Sequence, residues 1–186
     1  MYEELKIILY PDPRLKKQSR RVTEFDEQLK ALAARMFELM REAKGVGLAA
    51  PQVGENIRLF VMNPTGEPAD DQVYVNPELS EAEDSEEGEE GCLSLPKVTV
   101  NIVRDRSIKM KARDLQGEPI EKSATGYIAR IWQHEFDHLN GILLTDRMGA
   151  VAKLTHRKTL KELEEQYAKD HPPEKRPERR DKRGER

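Results

Sequence analysis

The chain has 186 residues, the size of one domain, with 36% charged residues of both signs and a net charge of only −3. That balance argues against a protein that grips DNA by bulk charge, and no apolar run approaches the ~20 residues of a membrane span. One cysteine cannot form an internal disulfide, and the N-terminus lacks the basic and apolar regions of a secretory signal. A cytoplasmic domain is expected.

In chain order, residues 23–43 come first as a helix. Phe25, Leu29, Leu32, Met36, Leu39, Met40 and Ala43 recur every three or four positions. Thr23 is the expected N-cap, with Asp26 three residues on, and Gly45 lies just past the end. Short β-like runs follow at 57–62, 73–76, 98–103 and 107–112. The last alternates Ile108, Met110 and Ala112 with Lys109, Lys111 and Arg113, as a strand with one wet face should. Between them, residues 81–90 hold seven acids and no base, and the first part reads as a solvated loop. A turn is expected at 114–117. A second helix is expected over about 124–140, stopped by Gly141. A third, over about 150–169, is amphipathic through Leu154, Leu160, Leu163 and Tyr167.

Residues 169–186 carry eight Lys/Arg, five Asp/Glu and no Val, Ile, Leu, Met or aromatic residue. Such a segment cannot offset its ordering entropy by burial, so a catalytic domain over 1–168 and a disordered tail over 169–186 are expected. Helices and strands are grouped rather than alternating. This favours an α+β fold, with antiparallel or mixed sheets packed around the second helix and a C-terminal helix beyond.

The second helix contains His134-Glu135-Phe136-Asp137-His138, an H-E-x-x-H pattern. Positions four apart fall within about 40° of each other on a helix, so both imidazoles can reach one metal ion. Glu135, beside the first of them, can hold a water on that ion. Ile128, Ile131, Trp132 and Leu139 mark an apolar stripe that His134, Glu135 and His138 continue, so these polar groups point inward. A Glu buried among histidines is costly without a compensating cation. The competing reading is two ordinary histidines in a helical charge cluster. A catalytic site needs a further ligand, and the third His of a metzincin motif is absent. Cys92 is a better candidate than His156, although a lone cytosolic Cys is usually just a small buried apolar residue.

Three segments together resemble the peptide deformylase family. Gly45-Val46-Gly47-Leu48-Ala49-Ala50-Pro51-Gln52 is similar to its G-x-G-L-A-A-x-Q segment, Glu90-Gly91-Cys92-Leu93-Ser94 to its E-G-C-L-S segment, and Gln133–His138 to its Q-H-E-x-D-H helix. The resemblance reaches to about residue 168 and keeps the order of the motifs. It implies removal of the formyl group from formyl-methionyl nascent polypeptides. It also implies one divalent ion per chain, usually Fe²⁺, with zinc and nickel forms known, held by Cys92, His134 and His138 with water in the fourth place. Glu135 would accept a proton from that water. Gln52 and the Leu93 N–H would stabilise the oxyanion.

Val46 and Gly47 would pair with the substrate backbone as an added strand. Val46 and Ile131 are candidates for an apolar methionine pocket, while Arg130 places a charge beside it; its stem can pack while its head points away. Asp137 is a candidate to bond a ligand histidine or an arginine such as Arg104. The C-terminal helix and tail are a candidate ribosome contact; no membrane and no specific DNA partner is expected. Two alternatives remain open at this stage: a small zinc peptidase with a His or Glu third ligand, and a nascent-chain binding module whose metal only staples the fold.

Overall fold

The structure, a computed structural model, describes residues 2–172. Its first long helix, α1 (Glu27–Glu42), starts three residues later than the expected cap allowed. Asp26, not Thr23, is the N-cap: its carboxylate accepts from the Leu29 N–H at 2.9 Å. An acid placed there also faces the positive end of the helix dipole. At the other end Lys44, not Gly45, takes the left-handed conformation (φ 55°). Gly45 serves a different purpose. A Cβ there would lie 2.6 Å from Leu93 Cδ1, so the glycine lets the next turn of chain approach.

Five strands form one sheet in the order β1 (Gly47–Ala49), β2 (Leu59–Met62), β3 (Gln72–Cys92), β4 (Leu95–Arg113), β5 (Pro119–Thr125). Every neighbouring pair is antiparallel, so among the described residues the sheet is not mixed. The acidic run, whose first part was expected as a loop, is instead the outer half of β3. Its first part remains solvated, but the run is paired: Lys109 of β4 bonds Glu81, and Arg104 of β4 bonds the buried Glu90. Cross-strand partners of opposite charge offset the repulsion that composition alone suggests. The two runs at 98–103 and 107–112 are likewise one strand, β4. Strand β5 was not foreseen, since most of its residues are exposed and carry no apolar alternation.

Alternation in β2 shows how the sheet is sandwiched. Leu59 and Val61 join α1 residues in one core cluster, whereas Phe60 and Met62 join residues of the second helix, α2 (Gly126–Leu139), in another. Within the second cluster Tyr74 bridges Phe60 and Trp132, with ring centroids 5.1 and 5.8 Å away. Helix α2 packs against all five strands and ends as expected at Gly141 (φ 71°), where the Ile142 N–H bonds the Asp137 carbonyl.

The C-terminal region is α3 (Leu144–Arg147), α4 (Ala150–Thr155) and α5 (Arg157–Asp170). The single helix expected over 150–169 is therefore broken at His156. This break takes Leu154 out of the apolar stripe: it is 70% exposed, while Leu160 and Leu163 pack on β4. Helix α5 includes Lys169 and Asp170, the first residues of the expected tail; 173–186 lie outside the described residues. Among the described residues, no helix is long and apolar enough to cross a membrane.

Candidate active site

The packing of Ile131, Trp132 and Leu139 into the sheet fixes the azimuth of α2 and turns His134, Glu135 and His138 toward the end of β3. The two imidazole rings stand 5.0 Å apart, at 73° to each other. Cys92 reaches them from β3, where the pairing with β4 slips between Gly91 and Cys92. Such an irregularity re-aims a side chain out of the regular ladder. The Cys92 Sγ lies 3.3 Å from His138 Nε2, and the Cys92, His134 and His138 donor atoms all lie within 4.8 Å of one another. One four-coordinate ion with bonds of about 2.0–2.3 Å can bridge such a set.

A cavity of about 430 Å³ opens over this cluster. Val46, Gly47, Gln52, Cys92, Leu93, Ile131, His134 and Glu135 all line it, so eight of the nine residues singled out from the sequence share one site. The ninth, His138, is 1% exposed and forms part of the buried wall behind. Leu93 sits in the turn between β3 and β4, against Gly45. Gln52 is oriented by its neighbours: the Ala49 N–H donates to Oε1 at 2.9 Å, so the side-chain NH₂ faces Ser94 Oγ (3.1 Å) and Cys92 Sγ (3.5 Å).

Glu135 is buried, and its Oε2 has no hydrogen-bond partner among the described residues. Burial pushes its carboxyl up to about 7. The backbone of Gly47 lies directly over this carboxylate, and a Cβ at that position would overlap Oε1. His138 is pushed well below the ordinary imidazole value by burial and then by the His134 charge. His134 is raised, because Cys92 and Glu90 outweigh the cost of burial. One soft sulfur and two nitrogens thus converge within reach of one point, a donor set that suits a divalent ion.

Glu90, two residues before Cys92 on β3, has a role that its place in the sequence does not disclose. Its Oε2 accepts from His134 Nδ1 at 2.9 Å, which leaves His134 Nε2 for the cluster. Arg104 clamps both Glu90 oxygens at 2.9 Å. Burial opposes ionisation of Glu90, but these hydrogen bonds hold it well below the usual carboxylate range. Asp137 bonds Arg104 as expected, and Arg147 as well; it does not bond a histidine of the cluster. The Arg130 head is tied into the hairpin. It is bound to Glu90 and to backbone carbonyls of β3 and β4.

A family model described as polypeptide deformylase matches residues 4–154. The chain belongs to this family. A peptide deformylase of Thermotoga maritima is 45% identical over 159 residues, covering 85% of this chain and 95% of that protein. A chloroplastic/mitochondrial peptide deformylase 1B of Arabidopsis thaliana is 45% identical over 166 residues, covering 88% of this chain. The present chain spans 61% of that plant protein's length. A crystal structure of a plant peptide deformylase superposes with a TM-score of 0.88 at 42% identity, covering 95% of this chain and 98% of the other.

Within this deformylase chain, the contact between Gly47 and Glu135 gives a direct test. Gly47→Ala should displace the carboxylate by the width of the added methyl. A shift near 1 Å costs on the order of 10²-fold when a reacting group is involved. Steady-state kinetics on a formylated peptide should show kcat lowered by about 10–100-fold, with metal content unchanged. A variant turning over at the parent rate would separate Gly47 from the site.

Proposed function

We propose that the chain is a metal-dependent hydrolase that removes the formyl group from formyl-methionyl nascent polypeptides and releases formate. The observation that carries this reading is the meeting of Cys92, His134 and His138 with the buried Glu135, whose Oε2 has no partner among the described residues, at one end of the cavity. A divalent ion held by Cys92 Sγ and the two imidazoles would supply Lewis acidity and make water a stronger nucleophile near neutral pH. In this proposal α2 is the metal-binding helix around which the fold is built. Fe²⁺ is the ion proposed, with Zn²⁺ and Ni²⁺ compatible with the same donors.

The chain's own residues do the rest. Glu135 Oε2 takes the proton of the attacking water and delivers one to the departing amine. The Gln52 NH₂, already turned toward Cys92, and the Leu93 N–H donate to the oxygen on which charge develops. Val46 and Gly47, at the start of the edge strand β1, pair with the peptide backbone, which accepts varied sequences. Ile131 and Val46 supply apolar surface for the methionine side chain. A formyl carbon bears only hydrogen, so it fits between Gln52 and the cluster where a larger acyl group would collide.

Anaerobically prepared, Fe²⁺-loaded protein should release formate from a formyl-Met peptide, act much more slowly on the acetyl analogue, and leave internal bonds intact. Internal cleavage without formate would replace this reading with that of a peptidase. The cytoplasm is the proposed compartment, supported by the single reduced cysteine. The net charge of +3 on residues 169–186 supports a further contact with ribosomal RNA. Deleting 169–186 should weaken co-sedimentation with ribosomes in a salt-dependent way and leave turnover of a short peptide intact. Unchanged co-sedimentation at low salt would reject that contact.

A further inference from the structure

Arg130 and His134 stand four residues apart on α2, so they share one face of the helix. Both reach the same carboxylate. Arg130 Nη1 donates to Glu90 Oε1 at 2.9 Å, and His134 Nδ1 meets Glu90 Oε2 at 2.9 Å. Arg104 fills the second acceptor position of each oxygen, through Nε and Nη2. The carboxylate therefore takes part in four hydrogen bonds with three side chains, two on each oxygen.

The remaining donors of Arg130 fix it in turn. Nη1 also donates to the Ile102 carbonyl at 2.8 Å and Nη2 to the Glu86 carbonyl at 2.7 Å, so the guanidinium bridges β3 and β4. It occupies the space that a side chain at residue 88 would take. A Cβ on Gly88 would stand 2.8 Å from Arg130 Cζ and 2.9 Å from Nη2. Gly88 has no positive φ, so nothing in its own backbone conformation calls for glycine. The space is used by the arginine head.

We propose that Arg130 is a positioning residue of the metal site. Its guanidinium, seated over Gly88, holds Glu90, and Glu90 holds the His134 ring with its Nε2 aimed at the cluster. The inference rests on the metal-site reading above and adds to it a residue pair outside the three motifs. Groups that orient a metal-ligating histidine are typically worth 10–100-fold in metal affinity. Arg104 holds the same carboxylate but belongs to the buried network with Asp137. Arg130 is the partner that comes from the ligand helix itself.

The test is a cycle of three variants, Arg130→Met, Gly88→Ala and the double variant, each loaded with Zn²⁺. Arg130→Met keeps an unbranched stem along the cavity wall but removes the donors. Release of Zn²⁺ to a chromophoric chelator should be about 10–100-fold faster in Arg130→Met. Gly88→Ala should reproduce much of that effect by displacing the head. In the double variant Gly88→Ala should add nothing, since no guanidinium is left to displace. The Co²⁺-loaded forms should show the same pattern in their visible ligand-field bands, which report geometry at the ion rather than fold stability.

Parent-like release from folded Arg130→Met, or effects of the two substitutions that simply add, would overturn the proposal. So would a lowered Tm of the metal-free form with unchanged release, which assigns Arg130 a merely structural role. If Arg130→Met does not fold, Arg130→Lys is measured instead. It keeps the charge with a single donor point and should release Zn²⁺ at an intermediate rate; parent-like release would again overturn the proposal. Failure of the parent protein to hold Zn²⁺ or Co²⁺ at all would instead reject the metal-site reading.

Discussion

Replacing Glu135 with Gln should leave the metal content at the parent level and lower kcat for a formyl-Met peptide by about 10²–10⁴-fold, the usual range for loss of a general acid–base group. The substitution is close to isosteric, so the packing of Gly47 over the side chain is kept. What disappears is the ability to take and return a proton. The carboxylate is also an expensive group in this place, buried with one oxygen lacking a partner. The metal-free Gln variant should therefore melt no lower than the parent. Metal analysis, kinetics and a thermal scan on one preparation settle all three points. Turnover within tenfold of the parent would remove Glu135 from the proton-transfer step.

Cys92→Ser should give the opposite signature, with metal lost first and activity lost as a result. A neutral hydroxyl replaces a soft anionic donor, and removing a direct ligand should exceed the roughly 10–100-fold typical of the groups that merely orient one. Zn²⁺ affinity lowered by more than about 100-fold, measured by chelator competition, is expected. The core should be little changed, because Cys92 lies at its margin, partly buried beside Tyr10 and Leu95. Full metal content with unchanged affinity would exclude Cys92 from the site and return the third ligand to His156 or a carboxylate.

What the sequence disclosed, and what it concealed, divides by the distance between partners. Helix α1, helix α2 and the His134–Glu135–His138 triplet are local patterns with a period near 3.6, and all were legible. Cys92 was a candidate by its donor chemistry alone, and Gln52 entered through a resemblance of short motifs. The outer half of β3 was hidden because its acids are answered by Arg104 and Lys109 on another strand, beyond any window that scores composition. Glu90 and Arg130 were missed as working residues for the same reason. Arg130 and His134 lie 40 and 44 residues from Glu90, and only the packing of α2 on the β3–β4 hairpin brings them together. The break at His156 escaped because apolar spacing over 150–169 remains regular across it.

The seating of α2, through Trp132, on Tyr74 and the Phe60 ring beside it sets an angular tolerance on the chemistry. Side-chain tips lie about 5–6 Å from a helix axis, and metal–ligand distances are held to about 0.2 Å, so the rotation allowed about that axis is only about 2°. Aromatic packing at the back of the helix thus acts as a bearing for the groups at its front. A substitution such as Trp132→Phe could leave the fold intact and still throw both histidines out of alignment at once. Residues that never meet the substrate would then show up as determinants of which ion the site accepts.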